Sequence, residues 1–309
     1  MKQMTINGVR LSRLILGTGD LRKLNGTSML DAFVAAGGTT IDTAHQYTQA
    51  EKILGAWMAE RGNRDRLVIL TKGAHHDDGS PGPRVNPEAI DKDLHESLDR
   101  LGTSYIDLYA LHRDDPQVPV GPVVEALNRH LDAGRIRAFG ASNWTRERIQ
   151  EANDYAAARG LAGFSFSSTN LALAEALEPR WPGSVAADAA TRAWHERTQL
   201  PLLAWSAQAG GFFSGLFSPN DRSNAEMVRV YYSEDNWRRY DRAKRLAEVK
   251  GVSATQIALA YVLQRPYPTG AIIGPRSEAE LRDSLDAEAI ALSEGELAWL
   301  HLEREELAP

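Results

Sequence analysis

Short apolar runs alternate with helix-like segments along the whole chain, and this alternation limits the fold more than any other feature of the sequence. Eight runs are rich in β-branched and apolar residues and are bounded by glycine, proline or polar residues, which is typical of buried parallel strands. They are Leu14–Thr18, Thr39–Thr43, Leu67–Lys72, Ile106–His112, Ile136–Ser142, Phe164–Ser168, Leu202–Ser206 and Ala271–Gly274. Because parallel strands need long crossovers and eight βα units can close a ring, the pattern predicts an α/β fold with a (β/α)8 TIM barrel.

Segments with a helical period lie between these runs, where the crossovers of a barrel are expected. They are Ser28–Ala36, Ala50–Glu60, Pro87–Leu101, Pro122–Ala133, Arg146–Arg159, Ala186–Thr198, Asn236–Val249 and Ala254–Leu263. The last two both precede the eighth run, so one of them is additional to the basic unit.

Ahead of the first unit, the chain has the pattern of a small β-hairpin. Met4–Ile6 and Val9–Leu11 flank Asn7-Gly8, a pair that favours the positive φ angles of a type I′ turn. We expect this hairpin to plug the bottom of the barrel.

Two segments, His75–Pro87 and Ala207–Asp235, are too long for ordinary βα loops. Both follow strand-like runs, so they should form long loops at the C-terminal face of the barrel. No low-complexity linker divides the 309 residues, and barrels of this size fold as one domain. We therefore expect residues 1–309 to form one domain.

The composition excludes several classes of protein. The chain is 43% hydrophobic and 25% charged, and no apolar stretch approaches the roughly 20 residues of a membrane span. A formal net charge of −6 argues against nucleic-acid binding, which usually needs a basic surface. The first residues lack the pattern of a secretion signal, so we expect a cytoplasmic protein. The absence of cysteine excludes disulfides and thiolate catalysis.

Four ionisable residues stand where strand-like runs give way to polar residues: Asp42, Tyr47, Lys72 and His112. Parallel α/β barrels build their active sites from the C-terminal ends of strands, so these side chains should converge. Reduction of a carbonyl needs a hydride from a cofactor and a proton from an acid. A tyrosine hydroxyl has an ordinary pKa of about 10, and a nearby ammonium lowers it by favouring the phenolate.

These chemical requirements predict a role for each residue. Tyr47 would be the general acid, and Lys72 would be the ammonium beside it. Asp42 would keep Lys72 charged and oriented, while His112 would donate a hydrogen bond to the carbonyl oxygen.

Each assignment has a structural alternative. Asp42 also fits a helix cap, Tyr47 a half-buried residue at the rim, and His112 a hydrogen-bonded core histidine. Lys72 is the hardest to explain structurally, because an unpaired ammonium at the end of an apolar run is costly to bury. A lysine at a strand end can also act as a Schiff-base nucleophile, so an aldolase-type barrel stays an alternative.

The motifs around these residues resemble those of the aldo-keto reductase family over nearly the whole chain. The similar motifs are Asp42-Thr-Ala-x-x-Tyr47 with Glu51 and Leu54-Gly55, Thr71-Lys72, Ile106-Asp-Leu-Tyr-x-Leu-His112, Gly134-Arg-Ile-Arg137 and Gly140-x-Ser142-Asn143. The resemblance implies a barrel that binds a nicotinamide cofactor without a Rossmann domain. It further implies hydride transfer to an aldehyde or ketone, reversibly, with Tyr47 as the acid; a sugar-derived carbonyl is one expected substrate.

A cofactor-sensing regulatory subunit, similar to the barrel β-subunits of potassium channels, is an alternative, because those proteins keep the same four residues. This alternative and the aldolase-type barrel stay open at the level of sequence. The expected partner in the leading hypothesis is a small carbonyl compound or alcohol.

The same resemblance implies which residues contact the cofactor. Ser142 and Asn143 should hydrogen-bond the nicotinamide carboxamide, and Trp205 should stack on its ring. Ser168 stands where the family usually has a glutamine. The other candidate positions are Gly17, Thr18, Ser206, Gln208, Gly210, Gly211 and Phe212, followed after the last strand by Gly274, Arg276, Ser277, Glu280 and Ser284.

Glu280 departs from the arginine or glutamine that many NADPH-preferring members carry. A carboxylate there would repel the 2′-phosphate of the cofactor, whereas Arg276 would attract it. Ser277 and Glu280 also fit a capping box, in which the glutamate folds back onto the backbone of the serine. We expect NADPH as the cofactor, with NADH as the alternative.

Aromatic residues in or beside the long loops are candidates for a substrate pocket: Trp144, Trp181, Tyr232 and Trp237. Each of them also fits ordinary packing. The run His75-His76-Asp77-Asp78 favours a solvated loop over a metal site, because adjacent side chains diverge. We therefore expect no metal.

Overall fold

A β-hairpin comes first in the fold. The computed structural model describes residues 1–19, 27–76 and 82–307. Strand β1 (Gln3–Ile6) pairs antiparallel with β2 (Val9–Ser12). Asn7 and Gly8 between them have φ angles of 45° and 81°, as a type I′ turn requires. Leu11 and its hairpin neighbours are buried against the apolar interior of the barrel, so the hairpin closes the barrel bottom as predicted.

Eight parallel strands form a closed barrel, which confirms the predicted (β/α)8 architecture. In chain order they are β3 (Leu14–Gly17), β4 (Thr40–Asp42), β5 (Val68–Gly73), β6 (Ile106–Leu111), β7 (Ile136–Ser142), β8 (Ser167–Ser168), β9 (Leu202–Ala204) and β10 (Thr269–Ile273). Strand β10 pairs with both β9 and β3, with Ala271 opposite Leu14, and thereby closes the ring. All strands therefore end at the same face, where the candidate residues lie.

Only β7 has the predicted bounds at both ends; four strands differ by one residue at one or both ends, and β8, β9 and β10 differ by more, with β9 ending at Ala204 instead of Ser206. Regular pairing in β8 covers only Ser167–Ser168, because the preceding residues bond less regularly to β7. Strand β10 begins two residues before the predicted Ala271, at Thr269. Gly270 lies inside the strand, where a Cβ would meet Leu203 Cδ2 at 2.9 Å.

Helices surround the barrel. They are α1 (Ser28–Ala35), α2 (Thr48–Arg61), α3 (Pro87–Leu101), α4 (Val120–Asp132), α5 (Arg146–Ala158), α6 (Ala189–Thr198), α7 (Ala225–Tyr231), α8 (Glu234–Lys250), α9 (Ala254–Leu263), α10 (Glu278–Asp286) and α11 (Glu294–Leu300), with 3-10 turns at Arg64–Arg66, Ala209–Ser214 and Ala287–Ala289. Helix α7 and the second 3-10 turn lie within the segment predicted as one long loop.

Apolar side chains form two cores. One fills the barrel interior and includes Leu70, Leu108 and Phe166. The larger one lies between the strands and the surrounding helices. Among the described residues, no single helix is long and apolar enough to cross a membrane; α8 and α9 meet such a test only together, across a 100° bend.

Candidate active site

The ends of three neighbouring strands bring the four predicted residues together. Asp42 ends β4, Lys72 lies near the end of β5, and His112 follows β6, where its main-chain N–H donates to the carbonyl of Gly73 at 2.8 Å. Tyr47 is the residue before α2, and its ring meets the ring of His112 edge to face with centroids 5.9 Å apart. The four side chains therefore share one small region of the C-terminal face.

Lys72 and Asp42 form a buried ion pair. The ammonium of Lys72 donates to Asp42 Oδ1 and, at 2.9 Å, to the carbonyl of Thr43. Burial raises the pKa of Asp42 above its usual range, and the charge of Lys72 acts in the opposite direction. Because each charge compensates the other in a place with little water, removing either one would leave a buried charge without its partner.

His112 is a neutral imidazole. Its ring is buried, and burial lowers its pKa well below the usual value, with further lowering from Lys72 and Arg113. Its Nδ1 atom has no hydrogen-bond partner among the described residues. A neutral ring keeps one N–H donor and one acceptor, so His112 can orient a polar group without adding charge.

The main chain of Asp42 is fixed by β3. Thr18 donates to the carbonyl of Asp42 from both its N–H and its hydroxyl, each at 2.9 Å. At Gly17 a Cβ would meet Ile272 Cγ2 at 3.1 Å, so the strand end is tightly packed. The hydroxyl of Thr18 is thus used to hold the main chain of Asp42.

Charged residues on α2 and α3 anchor the loop that carries Tyr47. Arg100 donates to the carbonyl of His45 at 2.9 Å and to Glu51 Oε2 at 3.2 Å, and the His45 ring lies 2.8 Å from Glu96. The buried carboxylate of Glu51 also accepts from Thr71 on β5 at 2.7 Å. Strand β5 and helix α3 therefore fix the start of α2, which determines where Tyr47 lies.

The predicted nicotinamide side lies at the ends of β7 and β8, where Ser142 stands opposite Ser168. Asn143 has a φ of 61°, and its amide donates to the carbonyl of His112 at 3.2 Å and to Ser142 Oγ at 3.1 Å. Its Oδ1 accepts from the N–H of Val185 at 3.1 Å. Asn143 therefore holds neighbouring segments together, and among the described residues the hydroxyl of Ser142 accepts this bond.

Two buried polar atoms in this region are available to a ligand. Ser168 Oγ and Trp205 Nε1 have no hydrogen-bond partner within the described part of the chain. Buried polar groups are normally satisfied, so these two atoms are candidates for contact with a polar ligand.

The turn after β9 has an unusual backbone. Ser206, Gly210 and Gly211 have φ angles of 50°, 63° and 88°. Main-chain N–H groups in such turns can converge on an anion, and strained backbone is typical of ligand sites. Phe212 differs from its neighbours, because its ring is fully buried against Trp237, with centroids 4.6 Å apart, so only its main chain can reach a cofactor.

The expected 2′-phosphate end lies beyond β10, where the exposed Gly274 leads to α10. Ser277 Oγ accepts from the N–H of Glu280 at 3.2 Å, so Ser277 caps the helix as predicted. The reciprocal bond of a capping box is absent from this described helix start. Glu280 instead accepts from the main-chain N–H of Arg276 at 2.8 Å and pairs with the guanidinium of the same residue at 3.0 Å, so Arg276 gives the Glu280 carboxylate both a neutral donor and a charged one.

Gln208 and Ser284 connect this end to the turn after β9. Gln208 Nε2 donates to Ser284 Oγ at 3.2 Å, and Ser284 donates to the carbonyl of Glu280 at 2.9 Å. These two bonds connect the turn after β9 to the first turns of α10.

Three of the four aromatic residues predicted for a substrate pocket lie elsewhere. Trp144 is buried, donates to the carbonyl of Arg113 at 2.9 Å and packs on Phe164, which makes it a core residue. Tyr232 and Trp237 pack on each other with centroids 5.0 Å apart, in an aromatic cluster behind the turn. Only Trp181 remains beside the site: it is 44% exposed, and its ring lies 5.4 Å from that of Trp205.

Histidines of the loop after β5 come closer to the site than predicted. The ring of His75 lies 4.7 Å from that of His112 and 4.0 Å from that of His76, and both loop histidines are half-buried. Asp77 and Asp78 lie outside the described residues. Within the described ranges, no group of three or more histidines, cysteines and carboxylates could hold a metal ion.

The sequence analysis missed two residues that shape this region. Arg113 donates to the carbonyl of His112 at 2.9 Å, and burial lowers its pKa. Thr43 supplies the carbonyl that Lys72 binds. Thr43 directly follows Asp42 and Arg113 directly follows His112. This position could have indicated their roles, because residues next to a strand end lie at the same face of the barrel.

Comparisons with known proteins agree with this geometry. A sequence model described as "Aldo/keto reductase family" matches residues 13–301. The norsolorinic acid reductase stcV of Emericella nidulans is 30% identical, over 94% of this chain and 77% of the relative. The aryl-alcohol dehydrogenase [NADP(+)] of Phanerodontia chrysosporium is 27% identical, over 92% of this chain and 77% of the relative.

A bacterial relative and a solved structure cover the two chains more evenly. The uncharacterized oxidoreductase YrpG of Bacillus subtilis is 28% identical over 95% of this chain and 92% of its own. The crystal structure of the thermostable aldo-keto reductase Tm1743 with epalrestat superposes with a TM-score of 0.74, at 23% identity, covering 98% and 99%. This last similarity supports the fold.

Proposed function

The chain belongs to the aldo/keto reductase family and is therefore an NAD(P)H-dependent oxidoreductase, and from this premise we propose that Tyr47 protonates the carbonyl oxygen of an aldehyde or ketone. The observation that carries the proposal is the contact between the Tyr47 ring and a buried, neutral His112, with the Lys72–Asp42 pair on the neighbouring strand ends. These groups meet the requirements of an acid, an orienting group and a fixed positive charge.

When bound, the nicotinamide supplies the hydride that reduces the carbonyl carbon. Tyr47 gives its hydroxyl proton to the carbonyl oxygen, and the ammonium of Lys72 favours the resulting phenolate. His112 donates its N–H to the same oxygen and fixes its direction, which a charged imidazolium would do less selectively. The reverse sequence of proton transfers oxidises an alcohol, so we propose a reversible reaction.

The contacts of Lys72 argue against the Schiff-base alternative. A Schiff-base lysine reacts as a neutral amine. Here the Lys72 nitrogen donates to Asp42 and to the carbonyl of Thr43, so it is held by two acceptors within the protein.

We propose NADPH as the cofactor, held by the candidate residues from β7 to α10. The unpartnered Ser168 Oγ and Trp205 Nε1 suit the polar carboxamide, and the glycines at Gly210 and Gly211, which have no Cβ, suit a close approach of phosphate to the main chain. A relative whose name specifies NADP(+) supports the choice.

For the substrate we propose an aromatic aldehyde or ketone ahead of a sugar-derived carbonyl. One relative is named as an aryl-alcohol dehydrogenase, and Trp181 with Trp205 presents two indole faces beside the site. Flat aromatic compounds stack well on such faces. A panel of benzaldehydes and sugar aldehydes, compared by kcat/KM, distinguishes the two classes.

The proposed role of Tyr47 is tested with Tyr47→Phe. Turnover in both directions should fall on the order of 10²–10⁴-fold, because general acid catalysis contributes about that much. NADPH binding, followed by quenching of tryptophan fluorescence, should be retained. The matched control is Tyr155→Phe on the outside of α5, whose hydroxyl contacts Glu125. Turnover of Tyr47→Phe within threefold of the control would exclude Tyr47 as the acid.

A further inference from the structure

Residues 177–184, between β8 and α6, form a strap that α7 holds in place. The N–H of Leu177 donates to the carbonyl of Val230 at 2.8 Å. Arg229 donates to the carbonyls of Pro179 and Arg180 at 2.8 and 3.0 Å. The strap precedes β9 in the chain and α7 follows it. These hydrogen bonds hold the two together beside the turn that follows β9.

Arg180 points from this strap to the turn. Its Nη1 donates to Ser206 Oγ at 2.8 Å and lies 3.3 Å from the place where a Cβ on Gly210 would stand. Its Nε and Nη2 contact Glu226 of α7 at 2.9 and 2.7 Å. The side chain is 18% exposed, so the guanidinium lies largely enclosed against the turn.

These contacts leave capacity for an anion. A guanidinium has five N–H donors, and the contacts with Ser206 and Glu226 engage three of them. Gly210 has no side chain to fill the space in which the guanidinium lies. The turn itself has positive φ angles at Ser206, Gly210 and Gly211, so a ligand lying along it would meet both its main chain and the guanidinium of Arg180.

We propose that Arg180 is a further cofactor-binding residue that contacts the diphosphate of NADPH through its two remaining donors. The proposal rests on the proposed function, because it requires the cofactor to lie along the turn after β9. Arginine suits this role because its planar guanidinium binds phosphate oxygens in pairs. Glu226 orients Arg180 and neutralises part of its charge, so it weakens the attraction for phosphate.

The alternative is a purely structural clasp, and the two roles make opposite predictions for Glu226. If the ion pair is purely structural, substitution of Glu226 breaks it just as completely as substitution of Arg180, so both variants should have the same effect. For a phosphate-binding arginine, however, loss of Glu226 leaves the cation in place and unopposed.

The test measures the Kd of NADP⁺ by titration calorimetry for Arg180→Met, Arg180→Lys and Glu226→Gln, with thermal unfolding to verify that each variant is folded. Arg180→Met should raise the Kd on the order of tenfold and make the Kd less dependent on salt concentration. The Kd of Arg180→Lys should lie between those of Arg180→Met and the parent. Glu226→Gln should bind NADP⁺ at least as tightly as the parent. Arg238→Met, which breaks a surface pair with Glu305, is the control.

Two results would overturn the proposal: a Kd for Arg180→Met within twofold of the control, or a Glu226→Gln variant that loses as much affinity as Arg180→Met. Neither result bears on Tyr47, whose test is turnover at saturating cofactor. Conversely, if Tyr47→Phe stays active while Arg180→Met loses NADP⁺ affinity, the acid assignment fails and the cofactor contact stands.

Discussion

At the scale of single residues, the buried Lys72–Asp42 pair links chemistry to stability. Both side chains are almost inaccessible to solvent, and burial raises the pKa of Asp42. An ion pair in such a place contributes little net stability, yet loss of one partner is costly, because the other charge remains buried. The pair is therefore better explained by its effect on Tyr47 than by its effect on folding.

Lys72→Met should destabilise the protein by about 3–5 kcal/mol, measured as the free energy of unfolding in urea at pH 7. The double variant Asp42→Asn/Lys72→Met should lose less than Lys72→Met alone, because no charge remains buried. The loss of unfolding free energy in Lys72→Met should become smaller towards pH 5. An aspartate with a raised pKa takes up a proton more readily in the folded protein than in the unfolded chain, which removes the buried charge.

The exposed Lys52 of α2 offers the control, and Lys52→Met should stay within about 0.5 kcal/mol of the parent. If the double variant is as unstable as Lys72→Met, the cost comes from lost packing around the side chains and the electrostatic account is wrong.

The sequence allowed the four ionisable residues to be predicted, because residues at the ends of parallel strands must share one face. It did not allow the hydrogen-bond partners to be predicted. The amide of Asn143, a predicted cofactor contact, also holds the carbonyl of His112 and the N–H of Val185. His75 was expected in a solvated loop, yet it lies against His112. These contacts depend on distances between segments far apart in the chain, which residue pattern does not encode.

At the scale of elements, the strands and most helices could be predicted, because apolar runs bounded by turn residues and helical periods are local signals. Helix α7 could not, since it has seven residues in a segment rich in glycine and polar residues. The run Phe164–Ser168 predicted strand β8, but its regular length of only two residues could not be read from the sequence. Elements this short are held by their neighbours, as Arg229 and Val230 of α7 show through their contacts with the strap.

The first turn of α10 makes a prediction about cofactor choice. Glu280 pairs with Arg276, the cation expected to attract the 2′-phosphate, and its own charge opposes that phosphate. Glu280→Gln should therefore lower the Kd of NADP⁺ by about fivefold, equivalent to roughly 1 kcal/mol, and leave the Kd of NAD⁺ within twofold. Titration calorimetry with both cofactors measures the ratio.

Glu278 in the same helical turn provides a matched control, since it is exposed and pairs with Arg282. Glu278→Gln should change the ratio of the Kd of NADP⁺ to the Kd of NAD⁺ by less than half of the change that Glu280→Gln produces. An equal effect of both variants would mean that the net charge of the helix start matters and that the Glu280–Arg276 pair has no specific role.

At the scale of the whole molecule, buried histidines away from the active site connect stability to pH. His195 on α6 is fully buried, its Nδ1 lies 2.7 Å from the carbonyl of Leu200, and its Nε2 has no partner in the described part of the chain. Burial lowers the pKa of His195 to about 4. His301 near the C-terminal end of α11 has its pKa lowered to about 4 as well, by burial and then by the charge of Arg192.

A histidine with a lower pKa in the folded protein binds fewer protons there than in the unfolded chain between about pH 6.5 and 4. Its contribution to stability is therefore fully present above pH 6.5 and is lost as the pH falls through this range. For His195 the difference corresponds to about 3 kcal/mol. The free energy of unfolding in urea should accordingly decrease steeply from pH 6.5 to 4.5.

His195→Phe removes the titrating ring and keeps an aromatic side chain against Tyr267. The variant starts from a lower stability at pH 7.5, because the hydrogen bond to Leu200 is lost, but its decrease from pH 6.5 to 4.5 should be clearly shallower than that of the parent. His95→Gln, at an exposed position on α3, should keep the slope of the parent. If His195→Phe has the same slope as the parent, the acid destabilisation of this barrel comes from other groups. Removal of a buried histidine with a low pKa should otherwise change the number of protons taken up on unfolding, and with it the slope.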